Sequence, residues 1–335
     1  MHCKNLNHAL IETSFRLRKL QSIGATSITI DIDSTSNEQH GKKMEGVCFN
    51  YNGINCLDTI QAFDEYGFQY WNNVRPGNNH TASGAQEIIH EVFNRMPDSL
   101  SKLTRYVRAD SGYCKKDFFH ACAGKNARFV VCMRSLMYKP LINLVTEWKK
   151  QEPKDTDRIV FVGNRECEVG ETVYWPKNSP LRLRVILIRA VKVGRESQLV
   201  KGQEDYDYQG WVSSISDAMD PEDIVKMYRK RGHAENFIRE LKNGMDLHHY
   251  PCQKLVANKA FGLIAAFAYN LMRFVALKDN PKRPQFAKAI RFKFIHLPAQ
   301  IVRHAREVIF RFMDRHYEEV NRWMCYIKNL EFGVV

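Results

Sequence analysis

The sequence predicts an α/β protein: a mixed sheet flanked by helices, with a β-rich insertion and a helical C-terminal part. Three observations lead there. In the first 140 residues, strand-like and helical patterns come in the order three strands, helix, strand, helix, strand. From about 140 to 215 the runs are strand-like with charged turns between them, and after Pro221 the periodicity becomes helical. At 335 residues, with 44% hydrophobic and 26% charged residues, the composition is that of a globular chain able to bury a sizeable core.

Taken in order, residues 6–22 have a basic helical pattern. SITIDID (27–33) alternates, with Ile28, Ile30 and Ile32 on one face and Thr29, Asp31 and Asp33 on the other. A strand with two carboxylates on one side is unusual for a purely structural element. GVCFNYNGINCLDTIQAF (46–63) reads as two strands about Tyr51-Asn52-Gly53, where Asn-Gly favours a tight hairpin. RPGNNHTASG (75–84) reads as loop and Gln86 to Met96 as an amphipathic helix. Residues 103–109 form a short strand that runs into Asp110-Ser111-Gly112; Lys115 to Cys122 is helical and Ala127 to Met133 a buried strand. RIVFVG, TVYW, LRLRVILIRAVKV and GWVSSIS supply the insertion, and helices are expected over 222–243 and 255–277. The boundaries that follow are 1–24 for an N-terminal helical remnant, 25–140 for the first part of the core and 141–218 for the insertion. The core is completed by 219–280, and 281–335 form the C-terminal helical region.

The charge balance bears on partners. Fifty Lys and Arg against 37 Asp and Glu give a net charge of +13, and such a surplus suits a polyanion, because each cation set against a phosphate releases counterions. A merely basic soluble enzyme has the same signature. The nine cysteines are scattered without a C-x-x-C pair, which argues against a disulfide framework or zinc knuckle and suits a reducing cytoplasm. His248, His249 and Cys252 crowd together, but no partner pair stands at ligand spacing. The N-terminus has no signal pattern. The apolar stretch Ala260 to Leu277 is interrupted by Asn270 and Arg273, so a buried helix is expected there and no membrane partner.

MYRKRGHAENFIRELKNG (227–244) is the most informative segment. Tyr228, Arg231, Glu235 and Lys242 are spaced by 3, 4 and 7, and on one helix they fall within roughly 60° of each other. A carboxylate suits a hard divalent cation, a guanidinium one turn away can orient it or clamp a phosphate, and an ammonium adds a point charge. A tyrosine can stack on a base. Taken alone, the same spacing also suits a solvated helix with an Arg–Glu pair.

Tyr-x2-Arg-x3-Glu-x6-Lys resembles the signature of bacterial insertion-sequence transposases of the DDE superfamily, in the insertion-sequence-4-like branch. DIDST (31–35) and RADSGY (108–113) resemble the first- and second-aspartate motifs of the insertion-sequence-1380-like group, and RPGNNHTASG and AFAYNL (266–271) have the same look. The resemblance covers about 25–280. It implies a ribonuclease-H-like core, with Asp33, Asp110 and Glu235 as catalytic metal ligands. Asp31 is the alternative to Asp33 or a neighbouring ligand. It implies two Mg²⁺ or Mn²⁺ ions, about 3.5–4 Å apart in such sites, and cleavage of transposon ends followed by strand transfer. It also implies DNA contacts from Tyr228, Arg231, Lys242 and Arg239 and a homodimer on paired DNA ends in the bacterial cytoplasm, at the nucleoid when DNA-bound. Trp175 and Trp211 of the insertion are candidates to stack on DNA, set against an ordinary packing role. Asp110-Ser111-Gly112 taken alone would read as a plain turn. Family members carry roughly a hundred residues before the first aspartate, so the N-terminus reads as truncated and specific end recognition as doubtful. Two other readings stay open: a ribonuclease-H-like nuclease or resolvase, and a non-catalytic DNA-binding remnant.

Overall fold

The computed structural model describes residues 2–21, 24–40, 43–150, 160–192, 206–304 and 306–328. Helix α1 (His2–Gln21) leads into β1 (Ser27–Glu38), then β2 (Cys48–Phe49), β3 (Asn55–Asp64) and β4 (Gln69–Pro76). Helix α2 (Ala85–Asn94), β5 (Thr104–Ala109), α3 (Lys116–Ala123) and β6 (Ala127–Cys132) complete the first part. The central sheet runs β4-β3-β1-β5-β6, with β3 antiparallel to β1 and to β4, and with β1, β5 and β6 parallel. It is a mixed sheet flanked by helices, the architecture expected of a ribonuclease-H-like core.

Two strands differ from the sequence expectation. The first arm of the hairpin about Tyr51-Asn52-Gly53 is only the two-residue β2; its turn is held by Asn50, whose side-chain oxygen accepts from the amides of Asn52 and Ile54, with Gly53 at φ 73°. The third long strand is instead β4, where no strand was expected. Its Asn72 and Asn73 hide the pattern. Asn72 is buried, accepts on its backbone oxygen from Asn7, and donates from its side chain to Gly262 O at 2.8 Å. A polar residue satisfied by distant partners cannot be told from a loop residue by local pattern.

Helix α4 (Ser135–Ile142) precedes β7 (Trp148–Lys150), β8 (Phe161–Val162), β9 (Arg165–Glu166), β10 (Glu168–Tyr174), β11 (Leu183–Val191) and β12 (Tyr206–Ser213). These strands mostly continue the main sheet: β12 pairs antiparallel with β6, followed by β11, β10 and β7, while β8 and β9 pair with each other. Residues 151–159 and 193–205 of the expected insertion lie outside the described residues. Helices α5 (Pro221–Arg229), α6 (Gly232–Gly244), α7 (Leu255–Asp279) and α8 (Ala287–Phe294) follow. The expectation of an entirely helical C-terminal part is corrected here. Strands β13 (Ala299–His304) and β14 (Glu307–Phe312) form a hairpin, with Arg306 at φ 68° in its connection, before helix α9 (Tyr317–Lys328). The β-branched and aromatic residues of QIV and EVIF favour extended chain over helix.

Ile28, Ile30 and Ile32 of β1 join Ile11 and Phe15 of α1, Ile88 and Ile89 of α2, and Phe118 and Phe119 of α3 in the main core. The opposite face of β1 is covered as well, since Asp31 is buried. Helix α7 is long and apolar enough to cross a membrane, yet it packs against α1 and β4 with most of its residues buried. Among its polar residues, Asn270 accepts from Gln69 N at 2.7 Å and donates to Gln69 O at 2.8 Å, closing the edge of β4.

Arg18 of α1 is fully buried. It donates to Asp64 at 3.0 Å, Glu65 at 2.8 Å and Ser27 O at 2.9 Å, tying the helix to the ends of β3 and β1. Removing one partner of a buried pair strands the other charge away from water. Arg18→Met should therefore lower unfolding free energy by about 3–5 kcal/mol, measured by urea denaturation followed by circular dichroism.

Candidate active site

Parallel pairing of β1 with β5 sets Asp31 opposite Arg108 and Ile32 opposite Ala109. One residue further stand Asp33 and Asp110, so two carboxylates come together where β5 ends beside β1. Asp33 remains within β1, its side chain 13% exposed. Its Oδ1 accepts from Ser34 N at 2.9 Å. Asp110 is extended (φ −75°, ψ −178°) and its Oδ1 accepts from Gly112 N at 2.9 Å, capping a single 3₁₀ turn at Ser111–Tyr113. The turn-forming character of Asp-Ser-Gly is thus real and fixes the orientation of the carboxylate.

The third acidic residue arrives from a helix that the sequence suggested would be continuous. It is interrupted at Lys230 and Arg231: the amide of Arg231 bonds to Tyr228 O at 2.8 Å, an i−3 partner, and α6 starts anew at Gly232. Across the break Arg231 still lies over the Tyr228 ring and still pairs with Glu235, four residues on. Tyr228, half-buried on α5, packs with Trp211, ring centroids 5.8 Å apart, and burial raises its hydroxyl's pKa. Trp211 itself is 2% exposed in β12, a core position, so its candidate role in stacking on DNA is withdrawn. Trp175 is 60% exposed at the end of the insertion's β10 segment.

Arg231 joins the two sides of the site. Its Nη1 donates to Asp33 Oδ2 at 2.8 Å and its Nη2 to Glu235 Oε1 at 3.0 Å. Burial, the largest single effect, would depress this guanidinium, but Asp33, Tyr228 and Glu235 together outweigh it and the net shift is upward. Glu235 is exposed, its side chain 60% accessible. Lys242, two turns further along α6, donates to Ser36 O of β1 at 2.9 Å; burial lowers its pKa, with Asp58 opposing. Arg239 is exposed and donates to Asn236 Oδ1 at 2.7 Å. Asp31 has a different partner set: Arg108 donates to its Oδ1 at 2.6 Å and its Oδ2 at 2.7 Å. With both oxygens engaged by one buried guanidinium, Asp31 is an ion-pair residue, and its reading as a metal ligand is corrected.

A groove of about 910 Å³ opens beside Asp110 and runs past Ser34, Thr35 and Ser36 to Asn50 and Tyr51. One wall is the loop after β4. Arg75, held by Asp58, donates to Thr81 O at 2.9 Å and to Ser83 O and so shapes that loop. His80, with Lys115 Nζ 3.1 Å from its Nε2, and exposed Arg134 stand at the Asp110 end. Sequence reasoning did not single out these three residues. Arg134 could have been found from its place just past a parallel strand, where α/β sheets present ligand-binding groups. Elsewhere, Asp246, His248 and His249 bring their ligand atoms within 4.8 Å of one another, whereas Cys252 does not join them.

The chain matches the family model described as Transposase DDE domain group 1 over residues 3–330. It belongs to this family of DDE transposase domains. No curated protein matches the sequence. Among solved structures, the chain is similar to a piggyBac transposase in a synaptic complex with hairpin DNA, at 10% identity and a TM-score of 0.43. That match covers 80% of this chain and 51% of the other, so the transposase domain spans about half the length of that chain.

Asp33 of this transposase domain is held at an electrostatic cost. Burial raises Asp33 to about 6, Arg231 opposes that rise and Asp110 adds to it. An unfolded Asp titrates near 4, so between about pH 4 and pH 6 the folded state holds more protons than the unfolded one. Stability therefore falls as pH rises through that window. In EDTA, Asp33→Asn should lose this part of the slope and be more stable than wild type near neutral pH, by about 1–3 kcal/mol. Urea denaturation of both proteins at about pH 4 and about pH 7 measures the difference.

Proposed function

We propose that this chain is the catalytic domain of a DNA transposase that cuts transposon ends and transfers strands with the aid of divalent metal ions. One observation carries the reading most directly. Arg231 contacts Asp33 and Glu235, residues from opposite ends of the core, while Asp110 ends the strand beside Asp33. The donor set suits hard, oxygen-preferring Mg²⁺ or Mn²⁺. A guanidinium drawn between two carboxylates also marks a place where negative charge accumulates and a cation offsets it.

Asp33, Asp110 and Glu235 would hold the ions, two in number by the logic of such sites. The ions would supply activation of the attacking oxygen and stabilisation of the leaving oxygen at the scissile phosphate. The remaining roles belong to side chains. Arg231 orients Asp33 and Glu235, and its guanidinium suits a phosphate entering between them. Arg239, Arg134, Lys115 and Lys242 lend positive charge to the borders of the site, steering the DNA backbone by contacts that position it without reading sequence. Tyr228 packs on Trp211 and also faces Arg231, whose guanidinium carbon lies over the ring 5.8 Å from its centroid. Trp175 is an exposed aromatic of the insertion and available for stacking. The finer grouping with insertion-sequence-1380-like bacterial elements rests on the Tyr-Arg-Glu-Lys spacing and on the two aspartate motifs. Action as a homodimer on paired ends in the bacterial cytoplasm belongs to the same reading.

The test is nicking of supercoiled plasmid with Mg²⁺ or Mn²⁺ by wild type and Glu235→Gln. The substitution removes a charge with little change of shape, and the exposed site tolerates it. Nicking should fall at least about 1,000-fold, the scale on which essential catalytic groups act, while DNA binding in a gel-shift assay stays within about twofold. Equal nicking by both proteins would refute the assignment. Joining of cut ends to target DNA separates transposition from simple nuclease action.

A further inference from the structure

The buried pair directly behind the two aspartates has a third partner. Arg108 Nε and Nη2 are both occupied by Asp31, and its remaining Nη1 donates to the backbone oxygen of Met227 at 2.5 Å. In an unbroken helix that oxygen would accept from the amide of Arg231, four residues on. Here the Arg231 amide bonds to Tyr228 O instead. The break between α5 and α6 thus releases the carbonyl of Met227, and Arg108 supplies its hydrogen bond. The bond is part-buried, so Arg108 satisfies a carbonyl that water reaches only in part.

The placement is systematic. Asp31 is two residues before Asp33 on β1, and Arg108 is two residues before Asp110, so the ion pair forms the rung behind the two carboxylates on the same face of the sheet. Met227 is four residues before Arg231 and eight before Glu235. A single guanidinium therefore touches all three segments that deliver the acidic residues. Other contacts continue the arrangement: Phe237 of α6 packs on Phe63, which stands opposite Asp31 across β1 and β3.

We infer that Arg108, anchored by Asp31, is a positioning residue that holds the α5–α6 break in place and thereby sets Arg231 and Glu235 over Asp33 and Asp110. It touches neither substrate nor metal; it acts through the segments it joins. The catalytic consequence rests on the reading of these carboxylates as metal ligands, whereas the structural link does not.

Two variants test it. Asp31→Asn/Arg108→Gln keeps a neutral hydrogen-bonding pair behind the aspartates but is too short to reach Met227. Arg108→Lys keeps the charge opposite Asp31 but offers one donor group in place of a planar fork. Hydrogen exchange of residues 226–236, compared with that of β3, reads the link without any assay of activity. Faster exchange is expected at the junction with β3 unchanged in both variants. Exchange that is unchanged at the junction, or raised equally everywhere, would overturn the proposal. In nicking assays the double variant should show a rate about 10–100-fold lower, the usual effect of losing a group that orients a ligand. Its half-saturating Mn²⁺ concentration should rise, with plasmid affinity within about twofold of wild type. Arg108→Lys should recover part of the rate. A double variant that folds and nicks with wild-type rate and metal dependence would also overturn it. If wild type shows no metal-dependent nicking, the functional reading fails and with it the catalytic consequence, while exchange at the junction still decides the link.

Discussion

The parallel pairing of β1 with β5, in the register that sets Asp31 beside Arg108, is the constraint on which the rest of the molecule depends. It places an ion pair and then two like charges in succession on one face of the sheet. Asp110 repels the Asp33 carboxylate, and burial disfavours the charged form of Asp33 further. The fold meets this cost with cations from elsewhere in the chain, Arg108 behind the aspartates and Arg231 beside them. A purely structural sheet would have no reason to gather such a set. An apolar pair at the Asp31 and Arg108 positions would be simpler to bury.

The glutamate comes to this face on the second of two consecutive helices. Helix α5 covers the insertion side of the sheet, where Ile224 and Val225 pack with Ile186, Ile188 and Trp211. Helix α6 belongs to the main core through Phe237, Ile238 and Leu241. The break at Lys230 and Arg231 separates the two tasks, and Gly232 just after it adds no side chain at the turn. Lys242 then fastens the far end of α6 to β1 through Ser36 O. The exposed carboxylate of Glu235 is consequently carried on a helix fixed at both ends, which suits a group that must hold its geometry.

Much of the fold was legible because its signals are local. The alternation in SITIDID, the strand that ends at Asp110 and the helical period after Pro221 depend on neighbouring residues only. What stayed hidden depends on distant partners. Strand β4 looks like a polar loop until α1 and α7 are seen to satisfy Asn72 and Gln69. Asp31 and Asp33 are equivalent in pattern, and only the opposing Arg108 separates a paired carboxylate from one turned toward Arg231 and Asp110. The Tyr-Arg-Glu-Lys spacing was read on one continuous helix, and the interruption at Lys230 and Arg231 leaves no mark in that spacing. The extension of the main sheet by β12, β11, β10 and β7 is likewise a matter of long-range pairing.

The central claim is that Asp33 and Asp110, with Glu235, form a divalent-cation site. Its most direct test is Mn²⁺ binding followed by electron paramagnetic resonance in the DNA-free protein, comparing wild type with Asp33→Asn/Asp110→Asn. Both proteins should remain folded, since neither carboxylate serves the buried network of Arg18 or the pair of Asp31 with Arg108. The account predicts saturable Mn²⁺ binding by wild type, competed by Mg²⁺, and its loss in the double variant. Equal binding by the two proteins would contradict it.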